Sequence, residues 1–111
     1  MKKVVKLLHM GYMAEINTLL RVTKGTTYKD YEVGKIYTLT APRERFFPLH
    51  IAILMIDENW EFFGYCVVHS SEIKDQETTV TFEVLSLFTP EERDLYTRRF
   101  AEVAKKTGEI K

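Results

Sequence analysis

From residue 77 to 88 the chain reads ETTVTFEVLSLF. Val80, Phe82 and Val84 fall on one side, Thr79, Thr81 and Glu83 on the other. A period of two with β-branched and aromatic residues predicts a half-buried strand. WEFFGYCVVH reads as another strand, Trp60 to His69, with Trp60, Phe62, Cys66 and Val68 expected on one face. Gly64 interrupts its interior, which predicts a bulge, a bend or close approach by another backbone. IAILMI, 51–56, is apolar on both faces, the pattern of a covered central strand. Asp57, Glu58 and Asn59 form the turn between these two strands. KIYTLTA gives a shorter strand after Gly34. AEINTLLRVT alternates, with Ala14, Ile16, Leu20 and Val22 inward and Glu15, Asn17 and Arg21 outward. KKVVKLLHM fits a strand or a short helix.

The final segment changes period. Thr89 is a candidate N-cap, Pro90 occupies the first helical position, and Glu92 completes a capping box. Glu91, Glu92 and Asp94 suit the positive end of a helix dipole; Lys105 and Lys106 suit the negative end. Gly108 fits the position just past the C-terminus. Leu95, Tyr96, Phe100 and Val103 form the expected apolar stripe of a helix over 90–106. Five to six short strands followed by one helix, without strand–helix alternation, predict an α+β fold. Its expected form is a curved antiparallel β-sheet or small β-barrel with a C-terminal helix.

The chain has 111 residues, within the range of one core, so residues 1–111 are read as a single domain. No apolar run reaches the roughly 18–20 residues that span a bilayer, so no membrane partner is expected. The start, MKKVVKLLHMGYM, lacks the apolar length and cleavage site of a signal peptide. With one cysteine, Cys66, a reducing, cytoplasmic location is expected. Sixteen basic and sixteen acidic residues leave no net charge, which argues against a protein held mainly by phosphate neutralisation. The distribution is uneven: residues 1–50 carry nine basic and four acidic groups, the remainder seven and twelve. The fold is expected to interleave the halves and erase that difference.

His9, His50 and His69 lie on separate elements without ligand spacing, so no metal is expected. Cys66, in an apolar strand, reads as a small buried hydrophobe. No phosphate-cradling glycine motif and no G-x-S-x-G elbow occurs, and no cofactor is expected. Two loops remain as candidates for ligand binding. Arg43 and Arg45 stand two apart, so an extended segment would project both to one side, where paired donors can clamp an anion. Phe46 and Phe47 can stack a ring beside them or enter the core, and at least one is expected in the core. Lys24, Gly25, Thr26 and Thr27 combine a cation, a pliable backbone and hydroxyls. The candidate ligand-binding residues are therefore Lys24, Thr26, Arg43, Arg45 and His50.

Three blocks, MAEINTLLRVTKG (13–25), FFPLHIAI (46–53) and ETTVTFEVLSL (77–87), resemble those of a small bacterial protein family without an assigned function. The likeness covers roughly the central two-thirds of the chain, leaves out the first dozen residues and the helix, and carries over no catalytic residue. The order of a K-G loop, VGKIYTL, an apolar strand and FFGYCVV is also similar to PUA-like and ASCH-type small barrels. That resemblance implies RNA or nucleotide binding in a cleft lined by basic loops. The G-x-K-x-x-E-x-R pattern of ASCH domains is missing here.

Three functions follow as expectations. The first is a small binding module that holds an anionic ligand, such as a nucleotide or RNA segment, between the two loops. The second is an interaction or structural module, a homodimer joined through an exposed strand edge or the helix, which predicts an exposed apolar patch on Tyr96, Phe100 and their surroundings. The third, an enzyme, ranks last. It requires Asp57, His50, His69 or Tyr65 to meet in one cleft.

Overall fold

The computed structural model describes residues 4–9, 12–17 and 19–108, with side chains from residue 19 onward. The strands are β1 (Val4–His9), β2 (Tyr12–Asn17), β3 (Leu19–Arg21), β4 (Ile36–Pro42), β5 (Arg45–Phe46), β6 (Ala52–Ile56), β7 (Phe62–Lys74) and β8 (Glu77–Leu87). The helix α1 (Pro90–Thr107) follows. The ambiguous N-terminal segment is a strand, paired antiparallel with β2. The facing expected of Ala14, Glu15, Ile16 and Asn17 lies outside the described side chains.

Five strands form the principal sheet in the order β3-β6-β7-β8-β4. It curls into a half-barrel, and with α1 it makes the α+β fold expected. Its pairing is antiparallel except at one edge, where β3 runs parallel to β6. The cause is connectivity: the chain leaves β3, crosses to β4 at the opposite edge, and only then enters β6, so no hairpin joins β3 to its neighbour. A smaller sheet, β1-β2-β5, contains a second parallel pair, β2 with β5.

Two hydrophobic clusters lie on opposite faces of the principal sheet. Val80, Phe82 and Val84 enter the concave cluster as their alternation predicts, with Leu20, Val22, Met55, Phe63, Cys66 and Val68. Ile56, Phe62, Leu19 and Phe88 form the second cluster, against which Tyr96 and Phe100 of α1 pack. Strand β6 serves both, Ile53 and Met55 facing one cluster and Ile56 the other. Its apolar-on-both-faces pattern is thus explained. The strand begins at Ala52, however, and Leu49 and Ile51 before it are exposed. His50, between them, adopts φ 63° and breaks the extended run.

Strand β7 also divides, and here the expected single face is corrected. Phe62 belongs to the helix-side cluster, while Phe63, Cys66 and Val68 belong to the concave one. Trp60 precedes the strand with φ 65° and stacks on Phe100. The change of face is made at Gly64. Pairing with β6 shifts between Met55 and Ile56, and pairing with β8 shifts between Tyr65 and Cys66. A Cβ at Gly64 would stand 2.2 Å from the Ser86 carbonyl oxygen and 3.0 Å from Cε of Met55. Beyond the bulges β7 continues to Lys74 and returns through Asp75 and Gln76, both with positive φ, as a two-residue hairpin demands.

The helix is capped at both ends as its sequence requires. The Thr89 hydroxyl accepts from Glu92 N, the Glu92 carboxylate accepts from Thr89 N, and Gly108 is left-handed at φ 81°. Its inward row is Tyr96, Phe100 and Ala104, spaced by four residues, with Ala104 buried. Leu95 and Val103 lie beside that row and stay exposed at 43% and 52%. No helix among the described residues is long and apolar enough to cross a membrane.

Gly64→Ala forces a methyl group against backbone that cannot swing away. The expected outcome is a loss of about 1–3 kcal/mol of stability, measured as a lower urea midpoint with an unchanged slope.

Candidate functional site

Because the sheet is curled but not closed, its two edge strands face each other across a slot. One wall is Arg21 to Lys24, at the end of β3 and in the loop after it. The other is Leu39 to Pro42 of β4, with Arg45 and Glu58 completing the lining. The slot encloses about 510 Å³, within the range of ligand-binding clefts. Val22 and Leu39 are buried members of the concave core, so its floor is apolar. Among its lining side chains are three cations, Arg21, Lys24 and Arg45, and one carboxylate, Glu58.

Each wall is fixed by identifiable bonds. The turn that carries Lys24 closes when Thr26 N donates to the Thr23 carbonyl, and Gly25 takes the φ of 88° that this turn needs. Gly25 N donates to Glu58 Oε1, and Arg21 donates to the Glu58 carbonyl, so the turn is tied to the β6–β7 connection. Arg21 also lies 5.4 Å from the Trp60 ring centroid. On the far wall Arg45 Nε donates to the Pro42 carbonyl at 2.7 Å. Burial lowers the Arg45 pKa, yet guanidinium remains charged at neutral pH. The buried Thr78 hydroxyl accepts from Arg45 N at 2.9 Å and donates to the Arg43 carbonyl at 2.8 Å. One hydroxyl thereby holds the whole 43–45 corner against β8.

The five expected residues separate into four places. Lys24 and Arg45 meet at the slot. Thr26 lines a smaller neighbouring cavity of about 230 Å³, and its hydroxyl pairs with the Thr23 carbonyl and the Tyr31 hydroxyl. Arg43 is not part of the slot lining. Its φ of 71° breaks the extended geometry on which a paired-arginine clamp depends, and Arg45 beside it is buried. His50 lies elsewhere, 6.2 Å from His69 between ring centroids, and His69 Nε2 meets Glu83 Oε1 at 2.9 Å. Of the aromatics in this segment, Phe47 enters the concave core and Phe46 is partly exposed. The alternation of AEINTLLRVT marks Arg21 only as an outward strand residue. Its place at the slot follows from β3 being an edge, which alternation alone does not reveal.

The residues required for an enzyme do not share a cleft. Asp57 is buried in the β6–β7 turn, where its Oδ1 accepts from Asn59 N and Glu61 N. His50 stands before the other end of β6, and Tyr65 packs against Phe88 and Tyr96 beneath α1. Burial pushes the Cys66 thiol up to about 12, far from a reactive thiolate. Among the described residues no group of three or more His, Cys, Asp or Glu is placed to hold a metal ion. At the patch expected of a homodimer, half-buried Phe100 packs on Phe62 and half-buried Tyr96 on Phe88, while Leu95 and Val103 around them are exposed.

Fold and slot together define a half-barrel α+β domain of small size. No family model matches the chain, and no curated protein matches it. The X-ray crystal structure of protein ytmB from Bacillus subtilis is similar, with 30% sequence identity and a TM-score of 0.58. The match covers 73% of this chain and 98% of ytmB. At that identity and coverage the chain belongs to the same family as ytmB. The name of that protein states neither a ligand nor a reaction.

Thr78→Val keeps the shape of the side chain but leaves Arg45 N without its acceptor in a buried place. A loss of about 1–3 kcal/mol is expected, measured by chemical denaturation.

Proposed function

We propose that this protein is a small binding module that holds an anionic ligand, a nucleotide or RNA segment being among the candidates, in the slot between β3 and β4. The observation that carries this reading is the charge of the lining. A chain with no net charge concentrates three cations and one carboxylate around a single apolar-floored cleft. Thr23, Thr40 and the rim backbone add neutral hydrogen-bonding groups. An anion there gains from charge-assisted bonds, and the apolar floor favours a ligand with a non-polar part. The likeness of the chain's blocks to a bacterial family without assigned function, and of its strand order to PUA-like barrels, fits the same reading. So does a cytoplasmic location, where Cys66 stays reduced.

The test is binding at low salt of a set of fluorescent anions: a nucleoside triphosphate, a short single-stranded RNA and an acidic peptide. The RNA's log affinity is expected to fall against log salt with a slope of roughly −2, from about three contacts. Arg21→Ala with Lys24→Ala should flatten that slope by about two thirds. If none of the three anions binds at low salt, or if the double variant binds them unchanged, the slot is not an anion site.

A further inference from the structure

The slot has a second property that its charge does not describe: both walls are open strand edges. Among the described residues β4 pairs only with β8, and β3 only with β6. The phase of β4 follows from its bonds. Val84 N donates to the Lys35 carbonyl, and Tyr37, Leu39 and Ala41 stand opposite the next residues of the same phase, Phe82, Val80 and Thr78. Alternation then turns the N–H and C=O groups of Thr38 and Thr40 away from β8, toward the open edge. Two observations agree with this phase. Thr38 and Thr40 meet Thr81 and Thr79 through their hydroxyls at 3.3 and 3.0 Å, as the closer, non-hydrogen-bonded pairs do. Pro42, on the same phase, needs no N–H partner, and its carbonyl accepts from Arg45 at the end of the slot.

We infer that the ligand of this slot is an extended acidic peptide segment of a partner protein, added as a strand to the open edge of β4. This rests on the anion-binding reading and makes it specific. Three features favour a peptide over a nucleic acid. Among the described residues no aromatic ring lines the slot, so none of them offers bases a surface to stack on. The β4 wall is built of Leu39, Thr40, Ala41 and Pro42, compact side chains that admit a backbone close to the edge. The slot also offers two unlike surfaces, an apolar floor at Val22 and Leu39 and cations at Arg21 and Lys24. An added strand sends alternate side chains to opposite faces, so an alternating apolar and acidic segment meets both at once.

The experiment uses the unaltered chain and a blocked, labelled peptide of about eight residues alternating glutamate and valine. Three companions accompany it: the same peptide N-methylated at every second residue in either phase, and a single-stranded RNA of equal charge. Strand addition predicts that the plain peptide binds and that one of the two methylated phases weakens it about tenfold or more, since methylation removes N–H donors and leaves charge intact. Thr40→Pro, tolerable on an edge strand, should weaken the plain peptide similarly while the circular dichroism spectrum is kept. If that variant does not fold, the methylated peptides on the unaltered chain decide. Equal binding of both methylated phases overturns strand addition and leaves the anion site standing. RNA binding about tenfold tighter than the plain peptide also overturns it and makes nucleic acid the occupant. A peptide whose only effect is on a concentration-dependent dimer overturns it in favour of a second copy on that edge. No binding by any probe removes both the peptide and the anion site.

Discussion

The contact between Gly64 and the Ser86 carbonyl governs how this sheet curls. β7 must line two cores at once, the concave cluster around Phe82 and the cluster under α1. A regular strand would deliver Phe62 and Cys66 to the same face, since they lie four residues apart. Inserting a bulge changes the phase between them, and a bulge brings β8 closer than a side chain at position 64 allows. Bulges also increase local twist, which bends the sheet around its concave side. Phe62 is thus free to meet Phe100 at 4.8 Å between ring centroids while Phe63 and Cys66 fill the interior.

That curl has a consequence at the opposite end of the strand order. Five strands bent this far bring β3 and β4 near one another without, among the described residues, pairing them to each other, so the fold makes a slot as a by-product of its core. Open edges are hazards for soluble proteins, commonly blunted by short strands, prolines and charge. All three devices stand here: β3 has three residues, Pro42 ends β4, and Arg21, Lys24 and Arg45 surround the gap. They do not cancel the edge. The two inner positions of β4 whose backbone groups turn to the open edge, Thr38 and Thr40, keep small side chains. Positive charge beside an open edge opposes its pairing with an identical, equally charged edge.

How much of this was legible in the sequence depends on the range of the interaction that decides each feature. The helix is fixed locally, by Thr89, Glu92 and Gly108, and its limits follow from those residues alone. The alternation of β8 is also local, and Val80, Phe82 and Val84 are buried accordingly. Gly64 could be singled out because glycine within an aromatic strand has few other reasons to be there. The choice between one face and two for β7 is not local: Phe62 and Cys66 part company because β6 and β8 slip against β7 at that point. The apolar stripe of α1 points to Leu95 and Val103 rather than Ala104 because one methyl group contributes little to a hydrophobic pattern, yet Ala104 is the buried residue of the helix.

The site shows the same division more sharply. Lys24 could be found because a lysine beside a turn glycine is a recognisable loop signal. Arg45 was found for a reason that does not hold, since the extended geometry linking it to Arg43 ends at a left-handed residue. It reaches the slot because Thr78, thirty-three positions away, binds its backbone and presses the corner inward. Arg21 carries no such signal, because nothing in LLRVT says which strand will be left at an edge. That depends on the order in which strands pair, and a parallel β3–β6 pair has no turn signal to announce it. The separation of charge between the two halves of the chain has its meaning here too. All three slot cations come from the first fifty residues, whose strands supply both edges, while the acidic half contributes the central strands β7 and β8 and the helix. Three of the nine basic residues of the first half therefore meet beside the open edges of the sheet.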